Sequence, residues 1–217
     1  MEINNNSFEL KLAQQHWAYE DDSYDLTSHG RVILKINGHD IAGEGDLGIN
    51  QSAVALLQTV FIDHNPIVGN GFAVKPLFFH GCCEYCTCPN RMIDFGVTHI
   101  PDQSVLLNCF YVSGHEIDDP KKHYGASVTI TNKEYAKQIL EFAEGALNFL
   151  PKDKKAGEGD EWQVDIYHAW RNELKDLINM TRIYLRKGNV SSKMHKRAGE
   201  FDLEDGGIIK KRGGKIF

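Results

Sequence analysis

Apolar and polar residues alternate in two stretches near the start of the chain, and this alternation predicts β-strands. FELKLA begins at Phe8, while RVILKI begins at Arg31 and is followed directly by Asn37-Gly38. In a strand, successive side chains point to opposite faces, so each stretch places its apolar residues on one side. The Asn-Gly dipeptide suits the positive φ angles of a type I′ turn. We therefore expect a strand at Phe8 and a hairpin about Asn37-Gly38.

Later stretches also have the pattern of strands. GFAVKPLFF covers residues 71–79, the alternating residues 93–98 are followed across the turn PDQ by SVLLNCFYV, and ASVTI covers residues 126–130. In the middle pair Asp94 falls on the polar side of the alternation, whereas SVLLNCFYV is apolar on both faces. Strands that are apolar on both faces are typical of the interior of a sheet. We expect an antiparallel pair whose second strand is central.

Apolar residues at helical spacing predict three helices, over about residues 49–60, 132–150 and 162–187. Their expected boundaries are a cap at Asn50 for the first, the capping box TNKE from Thr131 and a stop at Pro151 for the second, and Lys187-Gly188 as the end of the third.

The order of these elements is strands, one helix, more strands, and then two helices. Strands and helices segregated in this way indicate an α+β fold, with a mainly antiparallel sheet and about three helices packed on it. A chain of 217 residues is long enough for one substantial core. We predict a single α+β domain over residues 1–187, followed by a basic, Gly-rich tail over residues 188–217. The tail is either mobile or a small hairpin about Gly213-Gly214.

The chain contains no stretch of about 20 apolar residues, which is the length that a membrane-spanning helix requires. Its longest nearly apolar run covers only residues 53–60, and the start MEINNNSFELKLA has neither the basic beginning nor the apolar centre of a secretory signal. These features favour a soluble, cytoplasmic protein. In that compartment the five cysteines would be thiols or metal ligands and not stable disulfides.

Charge is distributed unevenly along the chain. The net charge is −6, yet residues 186–217 hold nine Lys or Arg against four Asp or Glu, so residues 1–185 carry a balance of −11. An acidic body repels phosphate backbones and attracts basic partners through long-range steering. We therefore expect the partner to be another protein with a basic surface, with no nucleic acid bound through the acidic body and no membrane.

The stretch HGCCEYCTCPN, residues 80–90, contains four of the five cysteines. Cys83 and Cys86 have the spacing of a zinc knuckle, but a second pair at matching separation is absent. The candidate metal ligands are His80, Cys83, Cys86 and Cys88, with Cys82, His99 and Cys109 as further donors.

Three interpretations of this stretch remain open. It could be a zinc site, a thiol redox site, or a tight turn filled by small buried side chains. A redox pair is normally placed at the start of a helix, and here Cys88-Pro89 and a predicted strand follow. Free cysteine also behaves as a small buried hydrophobe. The sequence therefore favours the structural interpretation, with no metal and no cofactor, and zinc stays the alternative.

Other polar clusters give no complete catalytic signature. His115-Glu116 and Asp118-Asp119 belong to a turn-rich segment, and the acids of residues 20–25 lack the spacing and central glycine of a calcium loop. We predict no catalytic residues, and the question of enzymatic activity stays open with a preference for none.

Several stretches together resemble a known group of proteins. They are SYDLTSHGRVILKINGHDI, SAVALLQTV, HGC followed by CPNRMIDFGVTH, and YAKQILEFAEGALNFL. Over about residues 8–178 they are similar to a loose group of uncharacterised bacterial proteins, some of which look like immunity proteins of polymorphic toxin systems. Such proteins are small cytoplasmic binders that neutralise a cognate toxin. The resemblance implies that Cys82 and Cys88 belong to turns between strands, whereas Cys83 and Cys86 depart from that pattern and keep metal binding open.

These observations lead to one expected function and one alternative. The expected function is a non-enzymatic protein-binding module, an immunity protein that neutralises a basic toxin. The alternative is a zinc-binding or thiol-redox protein that uses the Cys/His cluster of residues 80–88.

Overall fold

The computed structural model describes residues 7–17, 27–66, 76–79, 91–114, 122–124, 126–153, 161–188, 201–204 and 208–211. The strands are β1 Phe8–His16, β2 His29–Ile36, β3 His39–Asp40, β4 Leu47–Gly48, β5 Phe78–Phe79, β6 Arg91–Ile100, β7 Ser104–Gly114, β8 Lys122–Tyr124, β9 Val128–Thr131, β10 Phe201–Glu204 and β11 Ile208–Lys211. The helices over the same residues are α1 Ile49–Thr59, α2 Asn132–Phe149 and α3 Glu161–Lys187. The predicted α+β fold is confirmed, and its antiparallel strands are divided between a four-stranded sheet, a five-stranded sheet and a separate pair.

The four-stranded sheet is built around β2. β1 pairs along one side of β2, and the short strands β3 and β4 share the other side. In the turn between β2 and β3, Asn37 has a φ of 50° and Gly38 a φ of 82°, the positive angles that a type I′ turn requires. The predicted hairpin about Asn37-Gly38 is therefore confirmed.

The five-stranded sheet has β7 at its centre, as its apolar sequence predicts. β6 pairs along one side of β7, and β8 and β9 share the other side. The strand expected over residues 71–79 pairs only at Phe78–Phe79, while residues 71–75 lie outside the described residues. The register between β6 and β7 shifts between Asp94 and Gly96, which marks a β-bulge.

The N-terminus of α1 differs from the sequence prediction. Gly48 occupies the cap position, with no side-chain capping bond, and Asn50 lies inside the first turn. The Asn50 Oδ1 atom instead accepts a hydrogen bond from the backbone N–H of Ser28 at 2.9 Å. The predicted Asn50 cap is therefore wrong, because this side chain satisfies the buried amide of Ser28, directly before β2.

The boundaries of the other two helices follow the sequence signals. Thr131 caps α2, since its Oγ1 atom accepts a hydrogen bond from the backbone N–H of Glu134 at 3.1 Å. α2 stops two residues before Pro151. At the end of α3, Gly188 has a φ of 72° and donates its N–H to Tyr184 O at 2.8 Å, a normal glycine termination.

Aromatic side chains join both sheets to α2 in one core. The Phe8 ring lies 5.7 Å from that of Tyr135 and 6.3 Å from that of Phe95, and Phe78 contacts Phe142 edge-to-face at 5.9 Å. α1 and α3 pack on α2 and on each other. On α3, Trp170 is buried.

The side chain of Gln138 on α2 binds the backbone of β1. Its Nε2 atom donates to Phe8 O at 2.8 Å, and its Oε1 atom accepts from Leu10 N at 2.9 Å. A side-chain amide offers the same donor and acceptor as a peptide group. Gln138 therefore occupies two backbone groups that a neighbouring strand would otherwise use.

In the C-terminal tail, the structure describes an antiparallel pair of β10 and β11. Residues 205–207 between the two strands and the Gly213-Gly214 position proposed for a hairpin both lie outside the described residues. The division into a domain of residues 1–187 and a tail of residues 188–217 stays a prediction. Within the described parts of the chain, no helix is both long and apolar enough to span a membrane.

Candidate functional site

Two histidine–aspartate contacts hold the chain that follows α1 against β6. The backbone of His64 donates to Val97 O at 2.9 Å and accepts from Val97 N at 2.8 Å. Because β7 occupies the other side of β6, this bridge lies on the side where β5 pairs. It brings Asp63 and His64 next to Asp94 and His99 of β6.

Asp94 is the centre of the first contact. It is only 4 % exposed, although it falls on the polar side of the alternation in β6. Its Oδ1 atom accepts three hydrogen bonds, from His64 Nε2 at 2.7 Å, Phe95 N at 3.0 Å and Leu77 N at 3.2 Å. A buried carboxylate requires such donors. Asp94 therefore ties together β6, the residue before β5 and the chain after α1.

The imidazole of His64 has one nitrogen held and one without a partner. Its side chain is 21 % exposed, and its Nε2 atom faces Asp94. An ionised carboxylate only accepts hydrogen bonds, so Nε2 carries the proton. Nδ1 has no hydrogen-bond partner among the residues that the structure describes, and in the neutral ring it bears the lone pair.

The second contact joins Asp63 to His99. Asp63 Oδ1 accepts from the backbone N–H and from the Nδ1 atom of His99, both at 2.8 Å, and His99 Nε2 lies 3.2 Å from Val60 O. Burial opposes ionisation of Asp63, but the hydrogen bonds from His99 outweigh it and lower the pKa of this carboxyl below its ordinary 3.8. Both ring nitrogens of His99 face oxygen acceptors, so this histidine, a donor considered from the sequence, is already engaged.

The first contact has the chemistry of an oriented imidazole. A histidine whose one nitrogen is fixed by a buried carboxylate presents the other nitrogen in a defined direction. Enzymes use this arrangement for a general base, and metal sites use it to orient a ligand. His64 and Asp94 therefore form the best-built candidate site within the described parts of the chain.

The sequence-predicted metal ligands lie outside the described residues. His80, Cys83, Cys86 and Cys88 all belong to residues 80–90, which connect β5 to β6. Cys82 lies in the same connection, and Cys109 is in β7, where only its backbone is described. The prediction that none of these residues binds a metal stays a prediction.

Sequence reasoning missed Asp63, His64 and Asp94. The available signal was a single polar residue, Asp94, in a strand flanked by apolar residues, next to a bulge that the sequence does not mark. The Asp-His dipeptide after α1 was a second signal. Neither indicates a partner, because the contacts join residues about 30 positions apart.

A further group of titratable side chains lies at the opposite end of the four-stranded sheet from the Asn37-Gly38 turn. His16 Nε2 is 3.3 Å from Asp46 Oδ2, and the rings of His16 and His29 are 6.3 Å apart across the strand pair. No group of three or more histidine, cysteine, aspartate or glutamate side chains that could hold a metal ion occurs among the described residues.

Comparison of the chain with protein-family models, with curated proteins and with solved structures finds no match.

Proposed function

We propose that the chain is a cytoplasmic, non-enzymatic protein-binding module that neutralises a basic toxin, in the manner of an immunity protein. The observation that carries this proposal is the acidic connection between β1 and β2. Residues 18–26 contain Glu20, Asp21, Asp22 and Asp25 and no basic residue.

The two stems of this connection are ordered by hydrogen bonds. Gln15 Nε2 donates to Ser28 Oγ at 2.7 Å, and the Ser28 N–H is held by Asn50 of α1. Gln51 of α1 also bonds to Thr27. Because the stems are already fixed, less conformational entropy is lost when the connection binds a partner.

The charge of the connection favours a basic partner. Four carboxylates within six residues repel one another in the free protein, and a surface rich in Lys and Arg relieves that repulsion. Asp46, which pairs with His16, adds a carboxylate at the same end of the sheet. Charged groups at the edge of an interface mainly increase the association rate of the two proteins.

The first experiment is co-expression with each neighbouring gene product, followed by co-purification and a growth assay. The informative variant neutralises the connection with Glu20→Gln, Asp21→Asn, Asp22→Asn and Asp25→Asn. Its matched control makes the same change in net charge at four exposed acids elsewhere: Asp102→Asn, Glu141→Gln, Asp153→Asn and Asp165→Asn.

We expect the connection variant to bind the toxin at least about tenfold more slowly at low salt, with a smaller loss in the control. Equal losses in both variants would show that only net charge matters. The proposal fails if no neighbouring product is toxic and none co-purifies.

A zinc-binding or thiol-redox protein that uses residues 80–88 is the second candidate. The observation that favours it is the position of His64, whose Nε2 atom is bonded to Asp94, four residues after the end of the cysteine-rich connection. Leu77 and Asp94, which share a hydrogen bond, lie within four residues of the two ends of residues 80–90.

Elemental analysis separates the two candidates. The second candidate requires about one zinc per chain. The bound zinc should be lost in the double variant Cys83→Ser, Cys86→Ser, and its amount should be lower in His64→Ala. His39→Ala is the matched control, because His39 is exposed on the hairpin. A purified protein without zinc, together with thiols that do not undergo exchange, would remove this candidate.

A further inference from the structure

Glu173 is a buried carboxyl group in the middle of α3. It is only 5 % exposed, and its neighbours along the helix, Trp170, Leu174 and Leu177, are buried as well. Neither of its carboxyl oxygens has a hydrogen-bond partner within the described residues. Most buried polar groups in proteins are paired, so this arrangement requires an explanation.

An unpaired carboxylate cannot remain ionised in such a place at low cost. Transfer of a charge out of water is far more costly than transfer of the neutral acid, so a buried carboxyl takes up a proton. Burial raises the pKa of Glu173 to about 8, and repulsion from Asp176, one turn further along α3, contributes in the same direction. At neutral pH the buried side chain is therefore mostly the neutral acid.

Among the described residues, no Lys, Arg or His side chain pairs with Glu173, and α1 and α2 are the helices that pack on α3. α1 contains no ionisable residue. On α2, Glu144 pairs with Arg182 at 2.7 Å, Lys137 lies 3.8 Å from Glu141, and the Tyr135 hydroxyl bonds to Thr59. The remaining ionisable side chains that are described on α2 and α3 are the exposed Lys133, Glu134, Asp165, Lys175, Arg186 and Lys187, the half-buried Arg171 and His168, and Tyr167 and Tyr184.

We propose that Glu173 is a proton-operated switch in α3. The side chain is buried as the neutral acid, and release of its proton to water is coupled to local opening of α3 from α1 and α2. The open form exposes an ionised carboxylate, whereas the closed form retains the proton.

The direction of the switch follows from linkage. In the open form Glu173 titrates near its ordinary value of 4.5, and in the closed form its pKa is about 8. Between these two values opening releases one proton, so the opening constant rises tenfold for each unit of pH. Below the lower value both forms are protonated and above the upper value both are ionised, so the dependence disappears.

The test measures hydrogen exchange of the α3 amides as a function of pH, corrected for the intrinsic exchange rate. In the full chain we expect the opening constant of residues 170–184 to rise about tenfold per pH unit between about pH 5 and about pH 8. Glu173→Gln should remove this rise. Glu141→Gln, the same change at an exposed site on α2, should keep it.

A second measurement does not depend on a variant that folds. Carbon-13 NMR of the Glu173 carboxyl in the unmodified chain should show the neutral acid persisting up to about pH 8. A carboxyl that is already ionised at about pH 6 would overturn the proposal. So would an opening constant that does not change with pH, or one that keeps its slope in Glu173→Gln.

Discussion

Asp94 and Glu173 are two carboxyl groups with almost the same burial and opposite surroundings. Asp94 is 4 % exposed and Glu173 is 5 % exposed. Asp94 accepts hydrogen bonds from His64 and from two backbone amides, whereas Glu173 has no hydrogen-bond partner in the described part of the chain. The hydrogen-bond donors around a buried carboxyl group, and not its burial alone, therefore decide whether that group stabilises or destabilises the fold.

This difference assigns the two residues opposite effects on stability. The Asp94 carboxylate satisfies donors that would otherwise be buried without a partner, so it stabilises the junction of β5, β6 and the chain after α1. Glu173 must hold a proton that it would release in the unfolded chain, so it destabilises the fold as the pH rises. The following substitutions separate the two effects.

The largest expected effect is the loss of Asp94. Asp94→Ala leaves the backbone amides of Leu77 and Phe95 and the His64 ring without their acceptor, and should lower the free energy of unfolding by about 3 kcal/mol. Chemical denaturation measures this change. A decrease in the free energy of unfolding of less than about 1 kcal/mol would mean that water replaces the carboxylate as the acceptor, and that Asp94 is not needed to stabilise this junction.

The second prediction is an increase in the free energy of unfolding, at Glu173. Glu173→Gln removes the proton uptake, and should raise the free energy of unfolding at neutral pH by up to about 3 kcal/mol. The gain should shrink as the pH falls toward 4.5, where folded and unfolded forms are both protonated. Denaturation at two pH values measures it, and a gain of the same size at both would contradict the linkage.

A smaller effect is expected at Asp63, whose pKa is lowered by the bonds from His99 despite partial burial. The carboxylate contributes stability above its ordinary pKa of 3.8, and the contribution is lost as the pH falls through the lowered pKa. Because the Asp63 side chain is 52 % exposed, solvent screens the pair and Asp63→Asn should cost only about 0.5 kcal/mol at neutral pH. The difference from the parent chain should vanish in acid.

The smallest effect concerns the neighbour of Glu173. Asp176→Asn removes the like charge one turn away, so the pKa of Glu173 should fall while its burial is unchanged. The effect on the free energy of unfolding should be only about 0.3 kcal/mol. The NMR titration of Glu173 measures the shift, and an upward shift would show that Asp176 is not a repulsive neighbour.

Local signals in the sequence predicted much of the fold. Asn37-Gly38 predicted the β2–β3 turn, Thr131 and Glu134 the start of α2, and Gly188 the end of α3, because each acts on its own backbone. Such signals require no knowledge of distant residues, so a single sequence is sufficient to find them.

The candidate site could not be predicted in the same way. Asn50 has the chemistry of a cap, but the nearby Ser28 amide offers it a different partner once β2 is in place. Asp94 occupies a position that alternation makes polar, and two of its three donors come from the distant residues 64 and 77. Glu173 lies on a helix flank whose burial depends on how α1 and α2 pack. All three outcomes depend on tertiary contacts.

The amide of Gln138 has a consequence for how copies of this chain behave at high concentration. β1 carries buried Phe8 and Leu10, and an uncovered strand with apolar side chains recruits identical strands from other molecules. Gln138 binds Phe8 O and Leu10 N, so these two backbone groups are not available to pair with a strand of another molecule. A single uncharged side chain thus leaves fewer free backbone groups on β1 for a strand of another molecule.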